Sequence, residues 1–155
     1  MRRALVAAAA VLVAAMAGCG QAPAQGGTAT PSPISAGEQL GATTGAQGWV
    51  TRVTVESQDQ LQVTVTVTGP LTVEGGCIPS LTAWADAGDG SPVPTPTPSG
   101  GQMHCMAIAL IPVAAGATKA FSADIPTPPG PGAYTIHGLL NTAGDQAIPV
   151  VTITL

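Results

Sequence analysis

Leu61-Gln62-Val63-Thr64-Val65-Thr66-Val67-Thr68 alternates apolar and polar residues without a fault. A period of two places Leu61, Val63, Val65 and Val67 on one face of an extended strand and Gln62, Thr64, Thr66 and Thr68 on the other. Valine and threonine favour that conformation because their branched side chains pack well on a pleated surface and are stiff in a helix. The stretch predicts a half-buried β-strand, with its apolar face turned to a core.

Similar signals lie on both sides of it. Trp49 to Glu56 is rich in Val and Thr, and Ser57-Gln58-Asp59-Gln60 is a polar connection of hairpin length. Further strands are predicted over Cys77–Ala85, Met103–Val113, Lys119–Ile125, Ala133–Leu140 and Ala147–Leu155, about seven in all. Pro79 points to an edge or bulge near the start of the first of these. Met103–Val113 is nearly all apolar and reads as a strand covered on both faces. In Lys119–Ile125, Phe121, Ala123 and Ile125 should point inward. Asp86 to Gln102 holds Gly88-Asp89-Gly90 and then Pro92, Pro94, Pro96 and Pro98, which predicts a stiff, exposed loop of polyproline II character. Ala143-Gly144-Asp145 marks a hairpin. There is no convincing amphipathic helix and no tandem repeat. Short strands separated by Pro/Gly turns indicate an all-β sandwich or barrel over residues 48–155. Only 3% of the chain is aromatic, so Val, Ile, Leu and Ala must build the core, with Trp49 and Trp84 expected inside it.

The N-terminus carries a different message. Arg2 and Arg3 precede an apolar run, Ala4 to Ala15, which ends in Met16-Ala17-Gly18-Cys19. The run is short of the ~20 apolar residues of a spanning helix, and its order of charge, apolar stretch and small residues is that of an export signal. It resembles the lipobox signal peptide of bacterial lipoproteins, with Met16 where leucine is usual. That resemblance implies a signal peptide over residues 1–18 and a diacylglyceryl group on the thiol of Cys19, which becomes the mature N-terminus. It places the protein at the cell membrane, lipid-anchored and facing outward. Residues 19–47 hold only one charge, Glu38, and no apolar periodicity, which predicts a flexible tether reaching about 30 Å.

Pro131-Gly132-Ala133-Tyr134 resembles the turn-to-strand corner of immunoglobulin-like sandwiches, where a tyrosine hydrogen-bonds back to the corner before it. The resemblance implies that role for Tyr134 and an immunoglobulin-like β-sandwich for the domain.

With Arg2 and Arg3 gone, Arg52 and Lys119 stand against eight acidic groups. Two isolated cations cannot displace counterions along a phosphate backbone, which excludes nucleic-acid binding, and they cannot hold anionic lipid headgroups either. Once Cys19 is acylated, Cys77 and Cys105 are the remaining cysteines, and in an exported protein an even pair reads as one disulfide. Neither lies in a C-x-x-C, which argues against redox chemistry. In Met103-His104-Cys105-Met106, strand alternation puts His104 and Met106 on one face. That pair with His137 is a candidate Cu(I) ligand set, similar to those of periplasmic copper chaperones but without their further His and Met ligands. The bland alternative is that the methionines fill core gaps. No Gly-x-Ser-x-Gly elbow accompanies the histidines, and Asp86 and Asp89 lack the further ligands of a calcium loop. The sequence therefore predicts no catalytic residues and no cofactor. The leading expectation is a non-enzymatic envelope lipoprotein that binds a protein or an envelope component through a sheet edge or the Asp86–Gln102 loop. Copper binding and inhibition of an extracellular protease are the alternatives.

Overall fold

The alternating stretch forms β3 (Gln60–Thr68), whose Leu61, Val63, Val65 and Val67 are fully buried. The computed structural model describes residues 34–95 and 107–155. The chain divides between Pro31 and Ser32, and every described residue belongs to the second unit. The other described strands are β1 (Gln39–Thr44), β2 (Val50–Ser57), β4 (Leu71–Gly76), β5 (Leu81–Ala87), β6 (Ile108–Val113), β7 (Thr118–Pro126), β8 (Ala133–Leu140), β9 (Gln146–Ala147) and β10 (Val151–Thr154).

One sheet runs β1-β2-β3-β7 and the other β10-β8-β5, with β9 on β8, while β4 and β6 form a separate ribbon. All these pairings are antiparallel. Two sheets that each have one apolar face bury them against one another, which is the sandwich solution. β10 lies against β1 and β2, and β5 against β7. The first sheet contributes Val53, Val55, Leu61, Val63, Val65, Val67, Phe121 and Ile125 to the core; the second contributes Leu81, Ala85, Tyr134, Ile136, Leu140, Val151 and Ile153. Strands β2, β3 and β7 take the places of A, B and E of an immunoglobulin-like sandwich, and β5, β8 and β10 those of C, F and G. The fold class expected from the sequence is thus the one observed.

Tyr134, at the start of β8, is buried, and its hydroxyl donates to the Pro129 carbonyl at 2.6 Å, with the Gly130 carbonyl at 3.2 Å. This is the corner geometry expected of it. Tyr134→Phe should lower stability by about 1–2 kcal/mol, the worth of one partly buried hydrogen bond. A urea titration should show a lower midpoint at unchanged slope. An unmoved midpoint would mean the bond adds nothing.

Several expectations need correction. The flexible stretch predicted over 19–47 is folded in its described part, because Gln39–Thr44 is a sheet strand and Ile34 and Leu40 pack on the core. β1 has little apolar alternation; it is selected by backbone pairing with β2 and by Gly41, where an added Cβ would stand 2.8 Å from Val151 Cγ1. The strand predicted over Cys77–Ala85 begins at Leu81 and extends to Ala87, and β4 precedes it. β4 escapes the alternation test because it ends in two glycines; it pairs with β6 and makes one isolated bridge, Val73 to Thr142. β6 is not covered on both faces: Ile108 is 59% exposed and Leu110 67%. The segment Ala147–Leu155 is broken into β9 and β10, separated by Pro149. Residues 1–33, including the expected leader and Cys19, and residues 96–106, including His104, Cys105 and Met106, lie outside the described part.

Candidate functional site on the outer face of the second sheet

Strand alternation in β5 turns Leu81 and Ala85 to the core, and so sends Thr82, Trp84 and Asp86 to the opposite face. In β8, the buried Tyr134, Ile136 and Leu140 leave Thr135, His137 and Leu139 facing outward. The antiparallel register sets Trp84 directly opposite His137 and Asp86 opposite Thr135. Side chains opposite one another in such a pair are close enough to interact. Here the indole and imidazole are stacked, with centroids 5.8 Å apart and planes 14° from parallel. His137 Nε2 lies 3.2 Å from Asp86 Oδ2, and the two side chains are 32% and 25% exposed. The carboxylate thereby fixes the imidazole over the indole. The pair is a side-chain contact between two ionisable groups, charged on both sides only when His137 is protonated.

Trp84 is therefore half-buried on the solvent face, a correction to its expected place in the core; Trp49, 4% exposed, is in the core. Asp86 is likewise a strand residue rather than part of an exposed loop. The chain beyond β5 turns tightly, with Gly90 N donating to Ala87 O at 2.8 Å and Val93 N to Ala85 O at 2.9 Å. The start of the proline-rich segment thus lies along the β5 edge, where it satisfies backbone groups that would otherwise be bare. Asp89 belongs to this turn. Its Oδ1 accepts from Ser91 Oγ at 2.6 Å and Ser91 N at 2.9 Å, and these bonds hold its carboxyl below the ordinary carboxylate value. Asp86 and Asp89 thus serve different partners.

Of the candidate metal ligands, His137 is engaged by Asp86, and His104 and Met106 are outside the described residues. Among the described residues no three of His, Cys, Asp and Glu gather as a metal site. Cys77, just after β4, is disulfide-bonded. The expected partner, Cys105, is outside the described residues. A shallow cleft of about 610 Å³ opens beside the β2–β3 turn, where Ser57, Asp59, Thr95 and Asp124 line it.

In the sequence Trp84, Asp86 and His137 stand apart, and their convergence is visible only in the fold. The alternation Leu81-x-Ala83-x-Ala85 could have placed Trp84 and Asp86 together on the outer face. The register of β5 against β8, which brings His137 to them, has no local signature in either strand. Comparison of the chain with protein-family models, with curated proteins and with solved structures finds no match.

Proposed function

We propose that this protein is an exported, lipid-anchored binding module of the cell envelope and not an enzyme. The observation that carries the reading is the Trp84–His137–Asp86 patch, held on the outer face of a rigid sandwich. Recognition groups fixed on regular strands are positioned without an ordering cost at the moment of binding. The leader-like run before Cys19 supports export and acylation. Two acyl chains hold a protein at a bilayer where one holds only marginally.

In this reading Cys77 pairs with Cys105. The bond closes a loop that contains β5 and the proline-rich segment, and chain-entropy arguments value such a closure at roughly 3–4 kcal/mol. It would keep the turn after β5 close to the patch.

Fractionation of the producing cells, followed by mass spectrometry of the mature chain, tests the proposal. The expected result is a membrane-associated polypeptide that starts at an acylated Cys19 and yields a Cys77–Cys105 cross-linked peptide. An unmodified chain starting at Met1 in the cytosol would overturn it.

A further inference from the structure

We infer that the Trp84–His137–Asp86 face binds a neutral glycan, with one sugar ring laid on the indole. This rests on the reading of the protein as a binding module and names its ligand class.

The chain has two tryptophans, one tyrosine and one phenylalanine. Trp49, Phe121 and Tyr134 are buried in a core otherwise made largely of valine, isoleucine and leucine, which leaves Trp84 as the aromatic residue on the solvent face. An exposed leucine or valine is ordinary, but a large apolar side chain on a polar face, ringed by ordered polar groups, is informative. The imidazole of His137 is stacked on one face of the indole, with centroids 5.8 Å apart, and holds that ring in place, so the sugar ring is assigned to the indole's other face. The axial C–H groups of a pyranose carry slight positive charge and match the negative face of such a ring.

Hydroxyl recognition is available around that surface. Asp86 accepts hydrogen bonds on two oxygens, and its contact with His137 uses one of them. The second imidazole nitrogen of His137 has no partner among the described residues. Thr82 and Thr135 stand on the same outer face, Thr135 opposite Asp86. Such groups can donate to or accept from adjacent sugar hydroxyls.

Charge selects among ligand classes. Asp86 and Asp89 and the acidic excess of the chain disfavour an anionic ligand. A cationic ligand would have to compete with His137 for the Asp86 carboxylate. A neutral, hydroxyl-rich ligand carries no charge that needs that carboxylate to itself.

Two other surfaces lack this combination. The cleft beside the β2–β3 turn presents Asp59 and Asp124 but no aromatic group. On β6, Ile108 and Leu110 are exposed and Glu74 of β4 stands opposite Leu110, but among the described residues no aromatic ring lies on that ribbon, and Pro112 leaves the strand without a donor at one position.

The test uses the full mature protein, purified in detergent, against immobilised neutral polysaccharides (a mannan, a β-glucan and a galactan) and an anionic control, polygalacturonate. Retention on at least one neutral polysaccharide is expected, with soluble oligosaccharide protecting tryptophan fluorescence from iodide. Trp84→Ala should weaken binding at least about tenfold, Asp86→Asn less, while Trp84→Phe keeps a ring face and retains part of the affinity. Unchanged thermal midpoints for Trp84→Phe and Asp86→Asn would exclude unfolding as the cause. Absence of neutral-glycan binding, equal binding by Trp84→Ala, or preference for polygalacturonate would each overturn the inference. The mass-spectrometric result above is independent of all three, so a failed glycan does not pass for a failed anchor.

Discussion

Leu61→Ala should remove about 2–5 kcal/mol of stability, the range for truncating a fully buried leucine. Leu61 has no exposed surface and lies in register between Val55 of β2 and Ile125 of β7. Its neighbours are short, branched side chains with one favoured rotamer each, so they cannot swing into the space left behind. The loss would be a large share of the ~5–15 kcal/mol that holds a domain of this size together. Thr68→Ala is the natural control. Thr68 is exposed at the end of the same strand, and its substitution should change stability by no more than about 0.5 kcal/mol. Urea denaturation of both variants checks the contrast, and a Leu61→Ala midpoint close to that of the parent would show that β3 is not the centre of the core.

Gly69→Ala should be similarly damaging for a different reason. Gly69 follows β3 and is held by a bond from its N–H to Ala117 O at 3.0 Å and by one from Gly116 N–H to its carbonyl at 3.3 Å. A Cβ at this position would overlap the backbone carbonyl oxygens of Val113 and Ala114. Backbone atoms cannot rotate aside as a side chain can, so the segment that joins β6 to β7 must move. Overpacking of this kind costs about 1–3 kcal/mol, and more where both neighbours are main chain. We expect a fall in the thermal midpoint on the order of 10 °C. Gly144→Ala, where a Cβ meets nothing within 4 Å, should leave the midpoint nearly unchanged. Equal midpoints for the two variants would refute the close-approach argument.

The legible parts of this protein are those where a local pattern has a direct physical consequence. Faultless alternation from Leu61 to Thr68 cannot be satisfied by a helix, and it appears as β3 with all four apolar residues buried. Tyr134 after Pro131-Gly132-Ala133 was legible because a buried phenol needs a hydrogen-bond partner and a turn offers bare carbonyls. The strands that escaped are those whose alternation is absent or too short to register. β1 is held by its neighbour's backbone, β4 ends in glycines, and β9 is only two residues long.

The candidate site was legible only in fragments. Read locally, Trp84 is a core residue, Asp86 a loop carboxylate and His137 a possible metal ligand. Their union depends on residues about fifty positions apart being placed opposite one another, which neither strand encodes by itself.

From the chain alone come the all-β class, the apolar faces, the scarcity of cations and the leader-like N-terminus. Each follows from composition, charge or a period, properties that a residue carries with its nearest neighbours. Which strands pair, in what register and with which outer face exposed was decided only by the tertiary structure. Backbone hydrogen bonds are the same at every register, and the choice between them is made by how the two sheets' side chains fit together in one core.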